Sequence, residues 1–512
     1  MKTQGVLFLL ILPSCRCARI LGVFPIFSRS HFNVFEPLLV ELVSRGHNIT
    51  LVSAYPLSGP GEYQHIDIQQ AKEKFNGSWS LDSFPHIPVS FYNVLRTIKT
   101  QIKDNENIFL LDSVKKLQTS GEKFDLVIVE EFTSDVFFGF AHIFNAPLVT
   151  FSSCPPMPWA MDRYGSPGSI TFSPNLFSAF TQDMGFLERT VNVLQVSLAK
   201  LYHKLVLQRI SQTMAVKYFG PDFPPLDEIV RSCSLFLVNS HPTFYAPKPL
   251  PPQVVQVGGI HVRTPKPLNQ ELDSWLKESP AGVIYFSFGS MLRGATLPSD
   301  KVRAFLEAFR GYSIYRVLWK WEDDTMDNIP YNVKIMKWLP QRDVLAHPAV
   351  KLFISHGGLL GTTEAVVSGV PILGIPMYGD QPNNVAALVD KGVAIHIDYN
   401  NITASSIKWA LGQLLTDTGY TENAKALSQR FQDRPMSPLD TAVFWTEYVI
   451  RHKGAPHLRS AAVDLTWYQY YLLDVTAFCI ITVLAVLAAA YYAVKSFIRC
   501  IGFSQSVKVK AA

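Results

Sequence analysis

The sequence has few charged residues for its length, and the charge is unevenly placed. Only 17% of the 512 residues are Asp, Glu, Lys or Arg, against 48% hydrophobic residues. The formal net charge is +5, but the last 18 residues carry four Lys or Arg and no acid, which leaves the preceding chain near +1. A nucleic-acid binder needs a basic face on its folded body, and this distribution argues against one.

Cysteine is also scarce. Two of the six cysteines lie before residue 18, and two more lie in the apolar segment and tail near the C-terminus. Only Cys154 and Cys233 are left for the body of the chain, which allows at most one disulfide. A conventional hydrophobic core must therefore stabilise the fold.

Two patterns that would indicate other chemistry are missing. No Gly-x-Gly-x-x-Gly follows a strand with an acid about 20 residues later, as a nicotinamide-dependent dehydrogenase requires. No Asp-x-Asp metal-binding triad is evident either, so we predict neither a metal nor another cofactor.

Both ends of the chain carry targeting patterns. Met1-Lys2, the apolar run 6–12 and small residues before Ala18 predict a secretory signal peptide at 1–17. A buried first strand is the alternative, but a better strand candidate, 19–26, follows at once.

Near the C-terminus, residues 475–494 are apolar except for two threonines, and 20 such residues can cross a membrane as a helix. Aromatic residues flank this run, and Lys495 and Arg499 follow it, which favours a cytosolic tail and a luminal body. The final Lys508 and Lys510 resemble a dilysine retrieval signal. The prediction is a single-pass type I protein of the endoplasmic reticulum membrane. Three N-glycosylation sequons, which begin at Asn48, Asn76 and Asn401, fall in the predicted luminal part.

The body alternates short apolar strands with helical stretches, which predicts parallel sheets of the α/β class. A Pro-rich stretch at 241–253 interrupts the alternation and predicts an extended linker. The predicted organisation is: signal peptide 1–17, first Rossmann-like domain 18–240, linker 241–253, second Rossmann-like domain 254–436, C-terminal helices and membrane-proximal segment 437–470, transmembrane helix 471–494 and cytosolic basic tail 495–512.

The segment between Trp338 and Gln381 carries most of the chemistry. The strand ending at 353–355 runs into His356 and paired glycines, and a helix starts at about Leu359. Glycines allow a close approach of the backbone, and a helix N-terminus offers free N–H groups to an anion. The pattern suits a phosphate or diphosphate, although a purely structural turn would look similar.

Together with its spacing, this segment closely resembles the signature of the UDP-glycosyltransferase family, and more specifically its insect-type members. The resemblance extends from the signal peptide to the basic tail, and Arg434 to Pro438 followed by Trp445 also looks familiar from these enzymes. It implies a GT-B fold, in which two facing Rossmann-like domains bind the acceptor and the UDP-sugar. The matching residues are Trp338, Gln341, His356, Gly358, Glu364, Asp380 and Gln381.

The resemblance implies a role for each position. Trp338 would stack on uracil, with Gln341 near the nucleoside, and Glu364 would bind the ribose hydroxyls. His356 and Ser290 would contact the diphosphate. Asp380 and Gln381 would hold the sugar hydroxyls.

The chain departs from many relatives at Leu359 and Leu360, where a side-chain amide often contacts the phosphate. Gly361, Thr362 and backbone N–H groups must then serve in its place.

His31 resembles the catalytic base of the family, and an imidazole of near-neutral pKa can take a proton from an attacking hydroxyl. Such a base needs an acid to orient it. Glu130 matches the vertebrate-type spacing and Asp135 the insect-type pattern. We favour Asp135, which could instead only cap the following helix.

The resulting hypothesis is an inverting transferase that moves a hexose from a UDP-sugar to a hydroxyl of a small lipophilic acceptor. UDP-glucose is the expected donor and UDP-glucuronate the alternative. A non-catalytic binder of the same fold is the rival class, and the presence of His31 and an acid argues against it. A Phe-rich first domain suggests an apolar acceptor pocket, with core packing as the alternative. A homo-oligomer is left open.

Overall fold

The computed structural model describes residues 17–72, 79–81, 91–166, 168–245 and 247–510. The predicted signal peptide and the sequon at Asn76 lie outside the described residues, apart from Cys17. The chain forms a compact body that ends at Ser460 and a C-terminal unit that begins at Ala461.

The strands, in chain order, are β1 (Arg19–Phe24), β2 (Asn48–Ser53), β3 (Gln64–Asp67), β4 (Trp79–Ser80), β5 (Leu126–Glu130), β6 (Leu148–Ser152), β7 (Leu235–Val238), β8 (Val254–Gln256), β9 (Val283–Ser287), β10 (Leu292–Arg293), β11 (Arg316–Lys320), β12 (Val333–Met336), β13 (Val350–Ser355), β14 (Ile372–Gly374) and β15 (Ala394–His396).

The α-helices are α1 (Arg29–Ser44), α2 (Phe91–Asp104), α3 (Glu106–Phe109), α4 (Asp112–Gln118), α5 (Gly139–Ile143), α6 (Phe186–Tyr202), α7 (Gln208–Phe219), α8 (Leu226–Arg231), α9 (Gln270–Lys277), α10 (Ser299–Gly311), α11 (Gln341–Leu345), α12 (Leu359–Ser368), α13 (Gln381–Asp390), α14 (Ala404–Thr416), α15 (Thr418–Gln432), α16 (Pro438–Arg451), α17 (Trp467–Tyr470) and α18 (Leu473–Lys510). A π-helical segment, His203–Leu207, joins α6 to α7.

Two parallel sheets form the body, as the alternation of strands and helices predicts. The first has the order β3-β2-β1-β5-β6-β7-β8 and the second the order β12-β11-β9-β13-β14-β15. Every strand pair in both sheets is parallel. Their buried strands are rich in Val, Ile, Leu and Phe, as expected for sheets covered by helices on both faces.

The boundary between the sheets differs from the prediction. β8 pairs with β7 of the first sheet, so the first sheet extends beyond the predicted boundary at 253. Short parallel pairing also joins β4 to β10, and Leu81, just after β4, is buried in the core of the second sheet. The chain therefore crosses between the two halves at more places than the linker alone.

The last helix of the body returns to the first sheet. Ala442, Val443 and Val449 of α16 belong to the same buried cluster as β1 and the inner face of α1. The first half is therefore completed by residues that follow the whole second half in sequence.

Cys154 and Cys233 are both free and buried. The thiol of Cys154 donates to the carbonyl of Pro155 and that of Cys233 to the carbonyl of Leu235. The one disulfide that the sequence allowed is therefore not formed.

The C-terminal unit contains one helix long and apolar enough to cross a membrane, Leu473–Arg499, among the described residues. Its mean hydropathy over the best window is 2.4. It starts two residues later than predicted because Leu472 has a left-handed backbone, with φ of 54°, which separates α17 from α18.

Candidate functional site

A cleft of about 890 Å³ lies between the two sheets, at the carboxyl ends of their strands, where α/β proteins bind ligands. Residues from both halves line it. Of the predicted site residues, the following line this cleft: His31, Ser290, Trp338, Gln341, His356, Gly358, Gly361, Glu364, Asp380 and Gln381. Asp135 and Thr362 do not.

His31 lies in the first turn of α1, directly after the loop that follows β1. Its Nδ1 is 2.6 Å from Oε1 of Glu130 and 2.9 Å from the hydroxyl of Ser153. Because the Glu130 carboxylate can only accept, the neutral ring carries its proton on Nδ1, and Nε2 is the ring atom left to accept a proton. The edge of the Phe132 ring contacts the imidazole, with the ring centroids 4.6 Å apart. This geometry prepares Nε2 to accept a proton.

The expectation that Asp135 contacts His31 is wrong. Glu130 is the last residue of β5 and points to His31, whereas Asp135 lies in a separate buried cluster. Arg163 donates to both carboxylate oxygens of Asp135, over 2.9 Å from Nη1, and Nε2 of His203 lies 3.5 Å from Oδ2. The physical reason is charge pairing, because a buried guanidinium requires a carboxylate partner.

The Asp135 cluster has strongly shifted pKa values. Burial opposes ionisation of Asp135, but the charge of Arg163 together with the hydrogen bonds from His203 and Arg163 outweighs it and holds the pKa well below its usual range. Burial raises the pKa of the neighbouring Glu131 to about 8. Burial also lowers the pKa of His203. The cluster therefore holds one ion pair, Asp135 with Arg163, beside the neutral side chains of Glu131 and His203. Keeping the neighbours neutral limits the free energy lost when charges are removed from water.

In the second half, His356 follows β13 and precedes α12, flanked by glycines that leave room for its ring. A Cβ on Gly358 would lie 2.4 Å from Nε2 of His356, and one on Gly289, which has φ of +80°, would lie 2.7 Å from its Cε1. Burial, and then the nearby Lys320 cation, lower the pKa of His356 to about 4. The imidazole is therefore neutral at pH 7.

The N-terminus of α12 points its free N–H groups toward this region. The amides of Leu359, Leu360 and Gly361 are the first of the helix, and the amide of Thr362 is already bonded to the carbonyl of Gly358. The Thr362 side chain is fully buried, and it has no partner for its hydroxyl in the described part of the chain. The donors available at this helix start are therefore backbone N–H groups and not the Thr362 side chain.

Side-chain contacts also order the end of the cleft at Trp338. Trp338 is 69% exposed at the cleft, so its ring face is available for stacking. Nε2 of Gln341 donates to Glu364 over 2.7 Å, and Gln341 accepts from the hydroxyl of Tyr285. A Cβ on Gly361 would lie 2.9 Å from that Nε2, so a glycine keeps space for the Gln341 amide.

Asp380 and Gln381 begin α13, and their neighbours fix both side chains. Oε1 of Gln381 accepts from the amides of Met377 and Tyr378, at 2.8 and 3.1 Å. Oδ2 of Asp380 accepts from Asn384 over 2.9 Å, and burial raises the pKa of Asp380. Asp380 and His31 line the same cleft from opposite halves of the body.

Sequence reasoning missed several cleft and supporting residues. Lys320 ends β11 and lines the cleft, while Ser153 follows β6. Asn384 lies one helical turn after Asp380, a spacing that could have predicted the contact. Tyr245 in the linker donates to Asn384, a contact that nothing in the local sequence indicates.

The described residues contain no group of three His, Cys, Asp or Glu side chains arranged to hold a metal ion.

Comparison with known proteins gives a consistent result. Residues 23–510 match the family described as UDP-glucoronosyl and UDP-glucosyl transferase. The chain is 43% identical to UDP-glycosyltransferase UGT5 of Dactylopius coccus, over 94% of this chain and 92% of that protein. It is 40% identical to UDP-glucosyltransferase 2 of the same species, over 96% of each chain. It is 32% identical to UDP-glucuronosyltransferase 2B19 of Macaca fascicularis, over 92% of each chain.

Among solved structures, the calicheamicin glycosyltransferase CalG4 is 17% identical, with a TM-score of 0.57, over 85% of this chain and 99% of that one. The glycotransferase of kitacinnamycin gives the same TM-score over 84% of this chain. At this identity the likeness concerns the fold alone. The two-sheet architecture is the GT-B fold, as predicted.

Proposed function

The chain belongs to the UDP-glucuronosyl and UDP-glucosyl transferase family and is a glycosyltransferase; on this premise we propose that it inverts the anomeric centre as it moves a hexose from a UDP-sugar to a hydroxyl of a small lipophilic acceptor. The observation that carries the proposal is the pairing of His31 with Glu130, 2.6 Å apart, in the cleft shared by both halves.

In the proposed reaction, Nε2 of His31 removes the proton from the acceptor hydroxyl. The oxygen attacks the anomeric carbon from the face opposite UDP, a C–O bond forms, and the bond to the β-phosphate oxygen breaks, so the electron pair leaves with UDP. The carboxylate of Glu130 stabilises the resulting imidazolium through Nδ1. The proton returns to solvent when the products leave.

The charge that develops on UDP is met by groups of the second half. The free amides at the start of α12 supply positive potential, and His356 supplies a neutral imidazole. The Lys320 cation, which pairs with Glu322 over 2.6 Å, lines the same cleft and can turn to the diphosphate. Since these groups can balance a diphosphate, we propose that transfer needs no metal ion. Full activity in excess EDTA supports this, and activity restored only by added Mg²⁺ or Mn²⁺ contradicts it.

The proposed donor is UDP-glucose. A relative 40% identical to this chain is named a UDP-glucosyltransferase, whereas those named UDP-glucuronosyltransferases are 31–32% identical. The carboxyl of Asp380, whose pKa is raised by burial, suits neutral sugar hydroxyls and would repel a sugar carboxylate when ionised. A competition between the two donors tests this choice: faster transfer from UDP-glucuronate would reverse it.

The proposed acceptor end of the cleft is apolar. Phe27, Phe132, Met157, Leu176 and Phe177 line it from the first half. Such a lining binds a lipophilic molecule by removing its surface from water, and only the reacting hydroxyl needs a polar partner.

The decisive test is His31→Ala. We expect turnover to fall by at least two orders of magnitude, since general base catalysis contributes about 10²–10⁴-fold. UDP affinity should be unchanged because the donor residues belong to the other half. Calorimetric titration with UDP beside mass detection of the conjugate separates the two effects. Loss of UDP binding together with turnover would assign His31 a structural role. Full turnover of the variant would show that His31 is not the catalytic base.

We also propose that the helix Leu473–Arg499 anchors the enzyme in the endoplasmic reticulum membrane, with the body in the lumen. The predicted signal peptide and the basic tail support this orientation. Protease protection in sealed microsomes tests it: the body should be protected and the tail cleaved.

A further inference from the structure

One face of α2 lines the first-half end of the cleft. Four of its lining residues follow one another at spacings of four, three and four, which places them on one side of a helix. They are Val94, Ile98, Gln101 and Asn105. Asn105 lies one residue beyond the end of α2 but continues its helical turn, because its backbone N–H donates to the carbonyl of Gln101 over 3.2 Å. The lining face is therefore apolar where the helix begins and carries two side-chain amides where it ends.

The beginning of α2 joins the apolar lining of the cleft. Phe91, its first residue, packs against Phe177, with the ring centroids 6.5 Å apart. Among the described residues, the hydrogen bonds of the His31 imidazole go to Glu130 and Ser153, so the two amides belong to a different part of the cleft. A bound molecule that lies along α2 would therefore meet apolar side chains first and the amides at its far end.

The two side-chain amides lack hydrogen-bond partners in the part of the chain that the structure describes. Asn105 is only 5% exposed, and its Nδ2 is buried without an acceptor. It precedes α3, yet its side chain does not cap that helix. The side chain of Gln101, which also lines the cleft, makes no hydrogen bond to the described residues either. Since a buried polar group without a partner costs free energy, a molecule bound in the cleft is the remaining source of that partner.

The charges nearby indicate which polar group fits the amides. Asp104 lines the cleft at the end of α2, and Lys72, in a 3-10 turn that packs against α3, lines it as well. One charge of each sign favours neither an anionic nor a cationic group. A side-chain amide both donates and accepts hydrogen bonds, and so does a hydroxyl, whereas a carboxylate only accepts. A neutral hydroxyl therefore matches the two amides best.

We propose that Gln101 and Asn105 bind a second hydroxyl of the acceptor, remote from the hydroxyl that loses its proton to His31. The preferred acceptor is then a polyhydroxylated lipophile, with an apolar ring system between its two hydroxyls. The apolar lining alone requires one polar partner, at the reacting oxygen, and the amides at the end of α2 add a second. The proposal rests on the function proposed above, because it assigns the far end of the same acceptor.

The test compares acceptors that differ only in the distal hydroxyl. Two matched pairs provide two lengths: 4-hydroxybiphenyl with 4,4′-dihydroxybiphenyl, and 4-hydroxystilbene with 4,4′-dihydroxystilbene. In at least one pair, we expect kcat/KM of the diol, corrected for its two equivalent hydroxyls, to exceed that of the monohydroxy partner about tenfold or more. The reason is that an acceptor without the distal hydroxyl leaves the polar groups of the site unpaired.

Variants show whether the amides cause this preference. Gln101→Met with Asn105→Leu replaces both amides by apolar side chains of similar size. The preference for the diol should fall about tenfold or more, while kcat/KM of the monohydroxy acceptor stays equal or rises. A merely structural role would lower both values together. The matched control, Thr100→Val with Lys103→Met, changes two exposed residues of the same helix and should keep the preference of the parent enzyme. If the double variant loses UDP binding, Gln101→Met alone, at a half-buried side chain, provides the same readout.

Equal kcat/KM of the diol and the monohydroxy acceptor in both pairs would overturn the proposal, and so would an unchanged preference in the amide variants. Calorimetric titration of the acceptors into the UDP complex separates acceptor recognition from the reaction. If no sugar is transferred to any acceptor but the diols bind more tightly through the amides, the proposed reaction is wrong and the role of the amides holds. If transfer proceeds without a preference for the diols, the proposed reaction holds and the role of the amides is wrong.

Discussion

Glu130 and Asp135 are five residues apart in sequence and belong to different networks in space. Glu130 ends β5, at the carboxyl edge of the sheet where the cleft lies, and contacts His31. Asp135 instead pairs with Arg163, which lies 28 residues later in the chain. Sequence spacing alone could not decide which of the two acids contacts His31, because the pairing of Asp135 with Arg163 is a tertiary contact that no local sequence pattern predicts.

Glu130→Gln should therefore lower kcat by about 10²-fold or more, because an amide cannot stabilise the imidazolium as a carboxylate does. UDP binding should persist. Asp135→Asn should instead lower stability by about 3–5 kcal/mol, because it leaves the buried Arg163 charge unpaired.

Kinetics at saturating donor and thermal unfolding of both variants separate the two roles. A stable, inactive Asp135→Asn beside an active Glu130→Gln would return the role to Asp135.

His356 gives donor binding a defined pH dependence. Its pKa of about 4 in the free enzyme should rise when a diphosphate binds beside it, since a negative charge favours the imidazolium. A pKa that is raised by the ligand makes the affinity for UDP-glucose increase as the pH falls through the bound-state pKa, and level off only near pH 4. Calorimetry in buffers of different ionisation enthalpy should detect proton uptake below neutral pH.

The matched variant is His356→Asn, which keeps a hydrogen-bonding side chain but does not titrate in this range. Its affinity should vary less with pH than that of the parent enzyme. An identical pH profile in both proteins would show that another group takes up the proton.

At the level of elements, the sequence predicted those strands and helices whose pattern of apolar residues matches the burial seen in the structure. The strands of both sheets and the turn from β13 to α12 follow from apolar runs and glycines close together in the chain. Most of the predicted donor-site residues that line the cleft therefore fall within 44 positions of sequence. The helices α6 and α7 were not predicted. Since α6 turns leucines outward and keeps an asparagine and an alanine inside, its periodicity contradicts the rule that apolar residues face the core.

The linker is more than the extended spacer that its prolines predict. Tyr245 donates to Asn384, a fully buried side chain that in turn donates to Asp380 and to the carbonyl of Gly357. Tyr245→Phe removes the donor that fixes the Asn384 amide, at a cost of about 1–3 kcal/mol for an unsatisfied buried group.

We expect Tyr245→Phe to lower kcat/KM for the UDP-sugar about tenfold or more, because Asp380 loses its fixed orientation. Inhibition by UDP, which lacks the sugar, should change little. Tyr312→Phe removes a comparable hydrogen bond between surface helices and should leave both values intact. If UDP inhibition weakened as much as sugar-donor kinetics, the network would support the diphosphate rather than the sugar.

At the level of the whole molecule, the first half depends on the end of the body. Val443 of α16 is buried in the cluster that includes α1, and the neighbouring Phe444 is 43% exposed. In the full chain, Val443→Asp should destabilise the first half by several kcal/mol, because it buries a charge without a partner. Phe444→Asp should be nearly neutral.

Hydrogen exchange measures this effect region by region. Val443→Asp should weaken the protection of α1, which carries His31, more than that of the strands of the second sheet, and UDP binding should outlast catalysis. Equal loss of protection in both sheets would show instead that the body unfolds as one unit.

The return of α16 to the first sheet sets a rule for recombining such chains. If the halves of two relatives were exchanged at the linker alone, α16 of one parent would pack against the first sheet of the other. The side chains at that contact would then come from two different proteins and would not be complementary. A workable hybrid needs two crossovers, one after β8 and one before Pro438, so that the first segment and the last travel together. In genetic terms, the first half is a discontinuous module interrupted by the second half, and its sequence diversity can be exchanged intact only by events that respect both junctions.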